Sequence, residues 1–411
     1  MLNIIKIAFR NLYRQKRRTF LTVSIIAFGV VAVLLFTSLA GTFKSLMVGQ
    51  ITDSMLGHGQ IHRKGFVASI ENLPVDKLMP ENLTNKVIKS IDSIPHITAV
   101  TKRILISGML SNYLETTNLK ISGINPDDEL KVAPLLGQRV IKGAMPNKGE
   151  IILPQMVMNG LKLSIGQDVV FIATNKDGSV NGQTFKISGI IETVTGPSGK
   201  YGYMHIDDAA AVLRMEEPEI NEIAFRVDKL NNLDKAMDLV YAKVASIKNK
   251  DGIEMVEAHS WRELSPFYNI ARMIDMMTKF IQVILIGIVL VSVMNVMVMA
   301  VYERIREIGT LSAMGTLPST IRLMFMTEGL LIGLFGAIAG SIIGSVTVFI
   351  IKISGVSVSF AMKDKIMLHP DIPIEQIVLT SGIILVISAL AAIEPAIKAS
   401  KLDPVESLRH N

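Results

Sequence analysis

The sequence predicts a membrane protein: four transmembrane α-helices, with a large α+β extracytoplasmic domain between helices one and two. Three observations carry that prediction. Residues 19–43, 280–302 and 329–351 hold no charged side chain, and about 20 apolar residues cross a bilayer as a helix. A fourth uncharged run, 376–393, is the shortest. Between the first two runs lie about 230 residues of soluble character. The whole chain, 411 residues with 49% hydrophobic and 19% charged residues and a mean hydropathy of +0.43, is too apolar for a soluble protein.

Charge orients the spans. The net charge is +6, but it does not suggest nucleic acid, because Met1–Arg18 gathers six basic residues and no acid directly before span one. That is a positive-inside signal. It predicts cytoplasmic termini, residues 47–272 and 352–375 outside, and residues 303–327 inside. Residues 1–18 form an amphipathic helix, with Leu2, Ile5, Phe9 and Leu12 on one face and Lys6, Arg10, Arg14 and Arg17 on another. Such a helix lies in the headgroup plane of the lipid membrane. Cysteine is absent, which excludes a disulfide framework, thiol catalysis and cysteine-ligated zinc.

The predicted order is span one (19–43), outer domain (44–274), span two (275–302), a connecting helix (303–318), span three (319–352), an outer loop (353–374), span four (375–394) and a tail (395–411). Inside the outer domain, Gly59–Lys64 reads as a strand, Leu83, Val87, Ile88 and Ile91 as a helix face, and Ala99–Leu110 as a strand. The order recurs late: strand Glu222–Val227, helix Leu233–Ile247, strand Ile253–Ala258. Two β-α-β units, in 52–110 and 220–260, therefore bracket a β-rich inserted subdomain, 111–219, in which Asn175–Gly178 marks a hairpin turn. A helix starting near Ser260 is expected to run unbroken into span two.

The connecting helix carries the sharpest pattern. Ile305, Ile308 and Leu311 fall three apart, Glu303, Arg304, Arg306 and Glu307 surround them, and Gly315 and Pro318 end the helix. Spacing alone leaves two readings open, a docking helix at the membrane face or a solvated connector. Span three holds two in-phase glycine sets, Gly329/Gly333 and Gly336/Gly340/Gly344, which suit close backbone packing against another helix. Glu328 is expected at the interface, with no partner that the sequence can name. Gly196–Lys200 lacks the spacing of a phosphate loop. His58 and His62 have zinc-like spacing, but the glycines beside them argue against the helix that would pair them. The 23 methionines suit adaptable packing better than copper transport. No nucleophile–base pair and no Walker A sequence is present, so the chain does not read as an enzyme.

Val301–Gly315, VYERIREIGTLSAMG, resembles the signature after span two in ABC transporter permeases of the MacB/FtsX/LolE type. Glu328–Leu331 resembles the start of their third span, and Pro395–Arg409 resembles their tail, with Ile397 and Lys398 in place of part of its basic pair. Gly57–Phe66, GHGQIHRKGF, looks most like the lipoprotein-releasing branch. The resemblance implies that Glu303, Arg304, Ile305, Arg306, Glu307, Ile308, Leu311 and Met314 form a coupling helix seated on a dimeric ABC ATPase. Its apolar stripe would enter a groove of the ATPase, with the charges at the rim. ATP and magnesium would sit on that partner, and this chain would bind no cofactor. It further implies a bacterial inner-membrane location, a second permease copy or paralogue, and a periplasmic carrier or adaptor. The work done would be mechanotransmission: release of lipoprotein from the outer leaflet, MacB-like efflux of a peptide, toxin or drug, or FtsX-like signalling to a cell-wall hydrolase.

Overall fold

The structure, a computed structural model, describes residues 2–69, 73–193, 200–217, 219–360, 363–403 and 407. The chain divides into a helical unit (Met1–Ser45, Arg272–Val358, Ile366–Asn411) and a sheet-based unit (Leu46–Ala271 with Ser359–Lys365). It opens with helix α1 (Leu2–Arg14), followed by α2 (Lys16–Ile51), which carries span one. Helix α1 differs from the expected two-faced helix. Ala8 and Leu12 are buried, and Leu12 joins the core of the helical unit, while Ile5, Phe9 and Tyr13 remain exposed. The apolar face is therefore split between protein and surroundings. At its far end α2 widens into a π-helical turn, Thr52–Leu56, closed by Gly57 at φ +76°, a conformation that glycine adopts without strain.

The sheet-based unit follows: β1 (Gly59–Arg63), α3 (Glu81–Asp92), β2 (Ile97–Ser111), β3 (Thr116–Ile124), α4 (Pro126–Val132), β4 (Val140–Gly143), β5 (Glu150–Pro154), α5 (Gln155–Gly160), β6 (Asp168–Thr174), β7 (Val180–Ile191), β8 (Tyr201–His205), α6 (Ile206–Val212), β9 (Glu222–Val227), α7 (Leu233–Ala245), β10 (Val256–Ser260) and α8 (Trp261–Leu264). Ten strands form one sheet in the order β10-β1-β9-β2-β3-β8-β5-β7-β4, with β6 against β2 and β7. Strand β1 is antiparallel to both β9 and β10, and β9 is antiparallel to β2. The two β-α-β units are thus interleaved, a strand of each lying between the two strands of the other. Their helices bury one stripe each: Leu83, Val87 and Ile91 on α3; Leu233, Met237, Val240 and Val244 on α7. Strand β2 is long enough to serve both parts, pairing with β9 through its first half and with β3 and β6 through its second. Asn175–Gly178 forms the β6–β7 turn, with Gly178 at φ +82°.

The expected continuous helix from Ser260 is not formed. A capping box between Ser260 and Glu263 starts α8, and the helix stops after one turn. Ser265 is extended because the residue before a proline is pushed out of the helical region, and Pro266 has no N–H to donate. A new helix, α9 (Phe267–Glu303), then carries span two. It is followed by α10 (Ile305–Ala313), α11 (Pro318–Ile353), a two-stranded hairpin β11 (Ser357–Phe360) and β12 (Lys363–Met367), α12 (Ile374–Ala391) and α13 (Ile393–Ser400). Among the described residues four helical stretches are long and apolar enough to cross a membrane, beginning at Lys16, Phe267, Pro318 and Ile374.

Glycine lets these spans approach. A Cβ on Gly336 would lie 2.5 Å from Ile26 of α2, and one on Gly340 would lie 2.6 Å from Val30. On Gly344 it would meet Leu34 at 3.1 Å. The other set faces the opposite neighbour: a Cβ on Gly329 would lie 2.5 Å from Ala392, and one on Gly333 would run into Ser388. The two glycine sets therefore serve two contacts, span three on span one and span three on span four, both within this chain.

Candidate coupling segment

Helix α9 ends where Arg304 leaves helical geometry (φ −116°, ψ 19°), and α10 begins at the next residue. Gly315 at φ +87° closes α10, and Pro318 supplies the first turn of α11, where a missing N–H costs nothing. Between these breaks α10 is amphipathic, but two of the three residues of its apolar stripe are already covered by the chain itself. Ile308 is 1% exposed within the core of the helical unit, Ile305 is buried and Leu311 is half-buried. The expectation that this stripe enters a partner's groove is therefore corrected for Ile305 and Ile308. They hold α10 to its own bundle. The residues turned outward are Arg306, Thr310, Ala313, Met314 and Leu317, and Met314 is 71% exposed.

The charges do not all form a rim either. Arg304 is buried and its Nη1 donates to Glu328 at 3.2 and 3.4 Å. Glu328, 3% exposed, lies inside the helix bundle and not at the interface. The side chain for which the sequence offered no partner is the ion-pair partner of Arg304, 24 residues upstream. The Nε of Arg304 donates to Glu307 at 3.2 Å, and Glu307 also accepts from Arg14 of α1. Burial alone would raise the Glu307 carboxyl, but Arg14 and Arg304 outweigh it and hold it below the usual carboxylate range. Four positions earlier, Glu303 accepts from Arg18 of α2 at 2.7 Å, and Arg18 also donates to the Val296 carbonyl. Arg14 and Arg18 were missed as members of this site. The basic cluster signalled topology, and nothing in its spacing said which acids it would meet.

The sheet-based unit holds a second polar assembly, at the end of α2. The Asp53 carboxylate, within the π turn, accepts from Arg226 at 2.6 Å and contacts His58 Nε2 at 3.3 Å. Its backbone carbonyl accepts from Leu135 N–H at 2.8 Å, and the Ser54 carbonyl accepts from Arg139 at 3.0 Å. The turn is thus held by β9 on one side and by the inserted subdomain on the other. Burial opposes ionisation of Asp53, yet the bonds from His58 and Arg226 lower its pKa overall. His58 accepts from Val227 N–H at 3.0 Å, and His62 is fully buried and stacked on Phe66 at 5.2 Å. Both histidines are built into the fold. Of the Gly196–Lys200 stretch, residues 196–199 lie outside the described residues.

Comparison with known proteins agrees with this architecture. Residues 279–404 match the family model of the FtsX-like permease C-terminal, and residues 19–242 match that of the MacB-like periplasmic core domain. The chain is 25% identical to the lipoprotein-releasing system transmembrane protein LolC of Neisseria meningitidis, over 98% of each chain. It is 24% identical to the macrolide export ATP-binding/permease protein MacB of Chlorobaculum tepidum, across all of this chain but only 62% of that protein's length. The periplasmic region of MacB from Actinobacillus actinomycetemcomitans matches 54% of this chain and 94% of that one, with 14% identity and a TM-score of 0.37. The MacB-like match alone takes in more than half of the sequence. The chain is a multi-pass membrane protein and belongs to the family of ABC transporter permeases of the MacB/FtsX/LolC type.

Proposed function

We propose that this permease releases lipoproteins from the outer leaflet of the bacterial inner membrane, with both termini in the cytoplasm. The observation that carries the reading is the end-to-end likeness to a LolC protein, which takes in the spans and the domain between them alike. Energy would come from a separate ATPase dimer holding ATP and magnesium. That dimer would seat on the outward face of α10, at Arg306, Thr310, Met314 and Leu317, since Ile305 and Ile308 are turned inward. A second permease, copy or paralogue, would complete the complex, and a periplasmic carrier would receive the product. ATP-driven movement of the spans would reach the outer domain through α2, whose terminal turn is held from both sides.

The test is reconstitution of the permease with its ATPase in proteoliposomes loaded with an acylated lipoprotein. ATP-dependent appearance of soluble lipoprotein–carrier complex is the expected result. ATP-dependent movement of a peptide or drug without lipoprotein release would support a MacB-like exporter instead. Stimulation of a cell-wall hydrolase with no transport at all would support an FtsX-like transmitter.

A further inference from the structure

A groove of about 570 Å³ runs between α1, α10 and the first turns of α11. Its floor is apolar, formed by Ile308, Leu311, Ile321, Met324 and Phe325, and Arg10 and Arg14 line it from α1. The charges around it do not balance. Arg304 is shared between Glu328 and Glu307, and Arg14 donates to Glu307. Three guanidiniums, those of Arg10, Arg14 and Arg304, therefore face two carboxylates. The surplus charge is that of Arg10, which makes no ion pair among the described residues.

The neighbours of α1 identify the groove's surroundings. Phe9 meets Phe335 edge-on with ring centroids 6.2 Å apart, and Phe335 lies within the uncharged run of span three. Helix α1 therefore lies against apolar, membrane-embedded protein surface. Its exposed Ile5, Phe9 and Tyr13, each four residues apart, form a stripe that suits hydrocarbon, and Lys6 and Arg10 follow directly around the helix. Arginine beside such a stripe sits at headgroup level.

We propose that this groove binds one anionic phospholipid from the adjoining leaflet, its phosphodiester held by Arg10 and its glycerol end resting on the apolar floor. A single negative charge neutralises the surplus, and the volume lies within the range of small-ligand sites. The lipid would brace α1 against α10 and so stabilise the segment through which the ATPase is expected to act. The binding itself does not depend on what the permease transports.

The full-length chain, purified in detergent, can be titrated with phosphatidylglycerol or with zwitterionic phosphatidylethanolamine, bound lipid being counted by native mass spectrometry. One phosphatidylglycerol per chain is expected to be retained in preference to phosphatidylethanolamine. Arg10→Ala should weaken it about tenfold, as loss of a charge-assisted hydrogen bond does. Leu311→Trp, which fills the groove without changing charge, should weaken it likewise. Arg17→Ala removes the same charge outside the groove and should leave binding unchanged. Equal loss in Arg17→Ala, or no preference for the anionic lipid, would overturn the proposal. Displacement by glycerol 3-phosphate at matched concentration would assign the site to a soluble anion and overturn the lipid reading. An Arg10→Ala variant that keeps its lipid but no longer retains the ATPase would assign the groove to a partner's acidic side chain and overturn the lipid reading equally.

Discussion

Arg103 in the sheet-based unit and Arg304 at the head of α10 are both withdrawn from solvent, each between two carboxylates, yet the clusters around them are built to opposite ends. Arg103 donates to Glu129 at 2.7 and 2.9 Å and to Glu222 at 2.5 Å, and both acids are buried with it. Burial works against the Arg103 cation, but Glu129 and Glu222 more than offset it and raise its pKa above the ordinary guanidinium value. The three side chains come from β2, α4 and β9, so the cluster ties an interleaved β-α-β strand to the inserted subdomain. Around Arg304 the bonds are longer, at 3.2 to 3.4 Å, and one acid, Glu307, opens to water and to a second arginine. A closed cluster with short bonds serves as a lock. The chain of pairs around Arg304 leads from a buried acid to an exposed arginine, so only its outer link, Glu307 with Arg14, lies open to water. The difference separates a cluster closed on itself from one that leads to the surface.

The largest expected effect comes from breaking the lock. Arg103→Met leaves Glu129 and Glu222 buried without their cation, and removing one member of a buried ionic group costs about 3–5 kcal/mol. Denaturant unfolding of the purified chain should show that loss, and a stability unchanged within error would mean the cluster is not the lock described. Acid sharpens the same point. Burial disfavours the Glu222 anion, but Arg103 and His62 outweigh it and hold its pKa below the ordinary glutamate value of 4.5. A carboxyl depressed in the folded state contributes stability that is complete above that ordinary value and is lost as pH falls through its lower folded value. The wild-type melting temperature should therefore fall on acidification below about pH 4.5. In Arg103→Met, where protonation relieves buried charge, the slope should flatten or reverse.

A pair of substitutions on α10 comes next. Ile308→Asp puts an unpaired charge into the helical core and should destabilise the bundle outright, by several kcal/mol. Met314→Asp alters an exposed side chain. It should leave the permease folded in the membrane while reducing the co-purified ATPase by an amount typical of an interface hot spot, about 2 kcal/mol. The seat proposed for the ATPase fails if Met314→Asp retains full ATPase occupancy and full turnover.

These expectations show how much of the molecule was legible in its residues. The spans were, because a soluble fold seldom runs 18 or more positions without a charge, whereas a bilayer demands it. The β-α-β order was readable too, since strand and helix periods differ. The interleaving was not, because pairing of β1 with both β9 and β10 joins residues far apart in sequence. On α10 the apolar stripe was correctly located, but Ile305 and Ile308 were wrongly assigned to a partner. Periodicity shows which side of a helix avoids water but not whether its own chain or a partner covers that side. Glu328 escaped for a related reason: its partner Arg304 lies beyond the loop and the first turns of α11, where no local spacing rule reaches. The break at Ser265–Pro266 could have been read, for a proline inside an expected helix is a stop signal.

The smallest expected effect tests the exposed end of the comparison. Arg14 and Glu307 are both substantially open to solvent, with side chains 60% and 48% exposed. Pairs of that kind contribute about 0–1 kcal/mol, because water screens the attraction and two long side chains must be held still. Arg14→Ala should therefore leave the unfolding midpoint almost unchanged. Glu307 would keep its bond to Arg304, so the buried pair with Glu328 would remain satisfied. Function is the more sensitive readout. If the chain Arg14–Glu307–Arg304–Glu328 passes strain between α1, α10 and α11, cutting its outermost link should lower ATP-driven release more than it lowers basal ATP hydrolysis. Arg14→Lys, which restores charge but not the planar guanidinium, should recover only part of the loss. Equal effects of Arg14→Ala on release and on hydrolysis would place Arg14 outside the coupling route. The Arg304 cluster would then be a lock of the same kind as that around Arg103, with one side left open.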